Sequence, residues 1–175
     1  MSTNAVERQG SGSGSHQVLT FVLGDETYGV DILRVQEIRG WSAVTKIPHA
    51  PAHVLGVLNL RGSIVPIVDL RMRFALERAE YTTVTVIIVM SVNTPAGRRD
   101  FGVVVDGVSD VVDVNSAEVK PAPDLGSRSA TDYIRGLVSV AERMVVLLDI
   151  DRLIGRDLAL SAGVETEEAL AASAA

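Results

Sequence analysis

Three sets of residues have types and spacings that chemistry could use. His49 and His53 stand four apart in KIPHAPAH, the interval that places two imidazoles on one helical face for a metal ion. Pro51 lies between them and interrupts such a helix, and no carboxylate is close in sequence to add a third ligand. The segment therefore reads as a break between elements. Asp69 and Asp149 each end an apolar run, and two carboxylates are the usual minimum for paired acid and base work. They occupy equivalent places in two related halves of the chain, which favours a shared structural duty: each ends a strand and caps the helical turn after it. The glycines of GSGSG have no strand before them and no helix after, so a phosphate cradle is not expected there. No nucleophile-elbow pattern occurs, and the absence of cysteine removes disulfides, thiolate zinc sites and thiol nucleophiles together. No catalytic set assembles, so neither an enzyme nor a bound metal or cofactor is expected.

Arg61 stands apart from these. It belongs to NLRGSIVPIVDLR, residues 59–71, where two apolar runs flank a polar corner. Gly62 can adopt a left-handed conformation and Asn59 can bond to local backbone, so turn geometry explains both. Pro66 cannot donate a ladder hydrogen bond, which places SIVPIVDL at an edge or a bulge. In the second half the aligned residues are Ala141 and Val146. A hairpin at this place thus requires neither a cation at 61 nor a proline at 66.

The elements that carry these residues are short strands. Of the 175 residues 47% are apolar but only 4% aromatic, so the core must be aliphatic. Its dominant Val and Ile, in alternating runs, favour strands. The net charge is -6, and neither a basic stripe nor stacking aromatics appear, which argues against a nucleic-acid partner. The amino terminus has no apolar core of a secretory signal, and VTVIIVMSV is far shorter than a membrane span. A cytoplasmic protein is expected.

Residues 1–16 read as a flexible tail. LTFVLG and TYGVDI form a hairpin. ILRVQEIRGW is extended and half exposed, with Ile32, Val35 and Ile38 facing inward. GVLNL and SIVPIVDL form the second hairpin, followed by a helical turn in RMRFALE. TVTVIIVM and FGVVVDGV are paired strands joined by a loop, VNTPAGRRD. VVDVNSAEVKPAPDLG leads to a polar loop around 127–131. GLVSV and RMVVLLDI make the last hairpin, DRLIGRDL is a short helix, and the end of the chain reads as disordered.

An internal repeat organises these pieces. Tyr28–Pro48 aligns without gaps on Phe101–Pro121, a shift of 73, and Gly56–Leu70 aligns on Gly136–Ile150, a shift of 80. The second half holds 7 more residues between its proline and its glycine, in the DLGSRSATDY region. Two related units of about five strands each follow, reading as small barrels in one domain.

LGDETYGVDILRVQEIRGW, PAHVLGVLNLRGSIVPIVDLRMRF, GVVVDGVSDVVDV, VKPAPDLG and DYIRGL together closely resemble the CheW-like domain family, from about Phe21 to Leu153. The resemblance implies an all-β fold: two intertwined five-stranded SH3-like β-barrels sharing a hydrophobic core, with short helical turns and a C-terminal helix. It places the domain at 17–155, with 156–175 a short helix and flexible tail. It implies a non-enzymatic adaptor that couples chemoreceptors, the methyl-accepting chemotaxis proteins, to the histidine kinase CheA. The alternative is a coupler for a non-chemotaxis chemosensory array, such as one governing surface motility. The implied partners are the receptor's cytoplasmic tip, a helical hairpin, and the CheW-like regulatory domain of CheA. The membrane is met only indirectly, through receptors that recruit the chain to its inner face. Family positions for receptor binding fall on Val35, Glu37, Gly56 and Arg61, with Asn59, Leu60 and Gly62 completing the motif. Arg61 then faces a receptor helix.

Overall fold

The computed structural model describes residues 14–76, 80–123 and 132–155. Ten strands fall in the alternating runs: β1 (Ser15–Leu23), β2 (Glu26–Asp31), β3 (Val35–Gly40), β4 (Val54–Leu60), β5 (Ser63–Asp69), β6 (Val86–Thr94), β7 (Gly97–Val105), β8 (Gly107–Asn115), β9 (Ile134–Val140) and β10 (Arg143–Leu148). A helical turn, α1 (Leu70–Arg73), follows β5, and helix α2, at 150–155, follows β10.

The strands form two five-stranded sheets, β8-β1-β2-β10-β9 and β3-β6-β7-β5-β4. Replacing each strand by its counterpart in the repeat converts one order into the other, so the repeat is also a structural one. A barrel is not one repeat unit, however. Strands β1 and β2 of the first unit join β8–β10 of the second, while β6 and β7 of the second join β3–β5 of the first. The chain crosses between sheets twice, through the 3-10 turn Ile32–Arg34 and at Asp106. This exchange makes the two barrels intertwined. In each sheet one parallel pairing binds the two units: β2 with β10, and β7 with β5. Gly29 and Gly102 lie at those junctions because a Cβ would strike Val18 at 2.5 Å in one and Ile67 in the other.

Three apolar clusters result. The largest lies between the sheets and is lined by both, with Phe21, Val30, Val68, Ile88, Val103 and Leu153 among its members. Each sheet curls over a smaller one: Val18, Val114, Val138, Val145 and Leu147 in the first, and Val65, Ile67, Ile87, Val89 and Val104 in the second. Burial of this aliphatic surface is the main stabilising term. The scarce aromatics are concentrated, with Phe21, Tyr28, Phe74 and Tyr133 in one continuous stack.

Several details differ from the sequence reading. Ile38 is 44% exposed: the bulge after Val35 sets it opposite Ile88 of the central cluster, but β3 is an outer strand of its sheet and leaves the side chain partly uncovered. VNTPAGRRD is mostly strand, since β6 runs to Thr94 and β7 begins at Gly97, leaving a two-residue turn. FGVVVDGV is divided at Asp106 by the crossover, and Ser15 and His16 belong to β1. Residues 1–13, the polar loop around 127–131 and the 156–175 tail lie outside the described residues.

Candidate functional site

The hairpin β4–β5 closes at Leu60–Ser63, with Arg61 (φ 54°) and Gly62 (φ 85°) between. Two left-handed residues in a two-residue loop make a type I′ turn, whose twist matches that of the strands. Asn59 Oδ1 accepts the Gly62 N–H at 2.9 Å, so Asn59 and Gly62 build the turn. The equivalent turn at Ala141 (φ 48°) and Glu142 (φ 66°) has the same backbone without glycine. The left-handed backbone at Arg61 thus belongs to the hairpin, and what distinguishes the position is its side chain.

That side chain is 84% exposed and reaches Glu37, with Nη2 3.1 Å from Oε2. Glu37 lies on β3 and Arg61 at the end of β4, the two outer strands of their sheet, so the contact spans the seam where the rolled sheet brings its edges together. Arg39 Nη1 lies 3.8 Å from the other oxygen of Glu37. The bulge explains how Glu37 gets there. Val35 pairs with Met90 of the central cluster, but Glu37 pairs with Val89 of the barrel cluster. Residues two apart, ordinarily on one face, are thereby turned to opposite faces. Val35 is half buried against the central core, and Leu60 packs on the barrel cluster.

Gly56 is fully buried at φ 147°, and a Cβ there would collide with the Thr45 carbonyl oxygen. Val57 and Thr45 exchange backbone hydrogen bonds of 2.8 and 3.0 Å, which seat the 41–45 segment against β4. Gly136 has the same relation to Lys120 in the other barrel. Gly56 presents no side chain to a partner and acts by letting these backbones approach. The structure thus joins Glu37 and Arg61 directly, sets Asn59 and Gly62 beneath Arg61, and keeps Gly56 inside.

Asp69 and Asp149 are caps: Asp69 Oδ1 accepts Arg71 N–H at 3.0 Å, and Asp149 Oδ1 accepts Arg152 N–H at 3.1 Å. Asp69 also anchors a buried network that the sequence reading missed. Arg71 Nε and Nη2 each donate to Asp69 at 3.0 Å, and Nη1 donates to Asp106 at 2.9 Å and to the Glu80 carbonyl at 2.7 Å. The Tyr81 hydroxyl donates to Asp69 at 3.0 Å, and its ring stacks on Trp41 at 4.1 Å. Burial pushes the Tyr81 phenol upward, and the Asp69 carboxylate adds to the rise. Burial acts to lower the Arg71 guanidinium, but its hydrogen bonds to Asp69 and Asp106 outweigh this and raise it. Both shifts favour the ordinary charge states of Arg71 and Tyr81 at neutral pH. His49 and His53 lie in turns, and among the described residues no group of His, Asp and Glu is arranged to hold a metal ion.

Residues 17–158 match the family profile described as CheW-like domain. The chain belongs to this family. Among CheW-like relatives, the chemotaxis protein CheW of Klebsiella aerogenes is 47% identical over 141 residues, covering 81% of this chain and 82% of that protein. The CheW of Rhizobium meliloti is 41% identical over 139 residues, covering 79% and 87%. The crystal structure of the scaffolding protein TtCheW from Thermoanaerobacter tengcongensis superposes with a TM-score of 0.72 at 27% identity, covering 81% of this chain and 88% of that one. The intertwined two-barrel arrangement is accordingly that of a CheW-like domain. Among the described residues no helix is long and apolar enough to cross a membrane.

Proposed function

We propose that this chain is a chemotaxis scaffold that couples chemoreceptors to the histidine kinase CheA, with Arg61 at the centre of its receptor site. It is an adaptor and not an enzyme, in keeping with the CheW-like family to which it belongs. The observation that carries the reading is the exposed guanidinium of Arg61, tied at its tip to Glu37. The equivalent hairpin carries Ala141, so the fold does not require that cation. A helix in a groove is held by apolar anchors, with polar contacts fixing its register. Val35 supplies apolar contact, Glu37 and Arg61 supply register, and Gly56, Asn59, Leu60 and Gly62 shape the strand and turn that present them. The partner is the helical-hairpin tip of a receptor, and the chain meets the inner face of the membrane only through it. The second partner is the CheW-like regulatory domain of CheA. Affinity capture of the full chain from its own cells tests this. A receptor and CheA should co-purify, and Arg61→Ala should lose the receptor while retaining the kinase. Capture of neither partner by the unaltered chain contradicts the proposal.

A further inference from the structure

The two places where the chain crosses between sheets are each held by an ion pair, and the two pairs have opposite polarity. At the first crossover Arg34 Nη2 lies 2.6 Å from Asp151 Oδ2, and Nη1 donates to Asp151 Oδ1 at 3.2 Å and to the Ser91 carbonyl at 3.3 Å. With the Asn93 amide turned to satisfy its neighbours, its oxygen accepts from both Arg34 amino groups at 3.1 Å. Asp151 Oδ1 also accepts the Asn93 N–H at 2.9 Å. At the second crossover Asp106 pairs with Arg71 at 2.9 Å and accepts the Gly24 N–H at 2.7 Å. Arg71 is the second residue of α1 and Asp151 the second of α2, and the two positions are equivalent in the repeat. One helix thus offers a cation to an anionic crossover, and the other an anion to a cationic crossover.

This inversion discriminates between two ways of folding a repeat. If each unit closed on itself, α1 would bring Arg71 to the crossover that holds Arg34, and α2 would bring Asp151 to the crossover that holds Asp106. Arg71 would then keep Asp69 but exchange Asp106 for the like charge of Arg34, and Asp151 would exchange Arg34 for the like charge of Asp106, both in partly buried surroundings, which is unfavourable. Exchanging β1–β2 for β6–β7 pairs every charge with its opposite. Devices that penalise an alternative arrangement need not add much net stability to the native one.

We infer that Arg34–Asp151 and Arg71–Asp106 are crossover locks that select the intertwined arrangement, and that Arg34 and Asp151 are positioning residues for β3. The second part follows from chain order. Arg34 immediately precedes Val35, the first residue of β3, and Glu37 follows two residues later. Helix α2 of the second unit therefore holds the entry of the strand that carries the proposed receptor residues. This deepens the receptor-site proposal and rests on it only for the consequence in binding.

The Arg34–Asp151 lock is testable because its side chains are 25% and 32% exposed, so charge changes there are tolerable in a folded protein. Hydrogen exchange of the free full chain is compared for wild type, Arg34→Asp, Asp151→Arg, the double exchange and the milder Asp151→Asn. Both single reversals should speed exchange of the β3 amides by about tenfold or more, a local opening that leaves β9–β10 protected. Asp151→Asn should have a smaller effect, and the double exchange should return β3 to within about threefold of wild type. Unchanged β3 exchange in both reversals overturns the inference, as does a double variant no better than its parents. Affinity for a receptor-tip fragment is measured on the same proteins with Arg61→Ala alongside. Normal binding by Arg61→Ala defeats the receptor site alone, whereas β3 exchange decides the lock without any receptor.

Discussion

Arg61 and Glu37 stand at the two free edges of one rolled sheet, 24 residues apart in sequence, with their charged atoms 3.1 Å apart. An ion pair this exposed contributes only about 0–1 kcal/mol to stability. Glu37→Gln should therefore lower unfolding free energy by less than about 1 kcal/mol in urea titrations. A loss of several kcal/mol would make the pair a structural clasp and remove the reason to see it as a site.

The two capping aspartates occupy the same column of the repeat but very different surroundings. Asp69 and Arg71 are 0% and 1% exposed, while the Asp149–Arg152 contact is 3.7 Å long and lies at the surface. Removing one charge of a buried pair strands the other, at a cost of about 3–5 kcal/mol. Asp69→Asn should destabilise by about that much, whereas Asp149→Asn should cost less than about 0.5 kcal/mol, because asparagine caps as well as aspartate. Equal losses would contradict the assignment of Arg71 to the interior.

Pro66 shows why a proline is tolerated inside a sheet. Val57 directs its N–H and carbonyl to Thr45, so its partner Pro66 must point its own away from β4, toward β7. There the parallel ladder begins only at Ile67, and Ser63–Pro66 stand off from Arg98–Phe101 across a cleft of about 400 Å³. In the other sheet Val146, the counterpart of Pro66, lies inside the ladder opposite Tyr28. Pro66→Val should thus change stability by less than about 1 kcal/mol, the effect of a freer unfolded chain. Val146→Pro should cost about 1–3 kcal/mol through an acceptor left unpaired. Chemical denaturation of both variants checks the contrast, and similar losses would refute it.

High pH should weaken the fold. Burial holds the phenols of Tyr28 and Tyr81 above the ordinary value of 10.0, with Glu26 adding to the first and Asp69 to the second. Below about pH 10 both states keep these protons; above it the unfolded chain loses them first, so stability falls as pH rises toward the folded values. Unfolding free energies measured from about pH 9 to 12 should decline, less steeply in Tyr81→Phe. A flat profile would contradict the burial of these hydroxyls.

The strands were legible because Val and Ile alternate, and the hairpins because Asn59–Gly62 has turn chemistry. The repeat announced itself in the spacing of Gly56 and Gly136 and of Pro48 and Pro121. The exchange of strands between units was carried only by the family resemblance, since pairing β2 with β10 and β7 with β5 leaves no local mark beyond Gly29 and Gly102, small enough for close approach. Ile38 was misplaced because it stands on an outer strand, where facing the central cluster does not ensure that a side chain is covered. At the site, Arg61 was visible as the residue its counterpart lacks. Arg34 and Asp151 were not, because residues 117 apart in sequence meet only through the crossover. Arg71 was hidden for a different reason: an arginine after an aspartate reads as a solvated turn, and its burial depends on Tyr81, Glu80 and Asp106 converging from other segments.

The most direct test of the central claim is Arg61→Gly, measured for stability and for affinity to a receptor-tip fragment. Glycine is at ease in the left-handed turn, so unfolding free energy should stay level or rise by about 1 kcal/mol. Affinity should fall by about 1–3 kcal/mol, the worth of hydrogen bonds to a charged group. Stability kept and binding lost is the result predicted for a guanidinium held out for a receptor. Binding kept at wild-type affinity by the folded variant would contradict it.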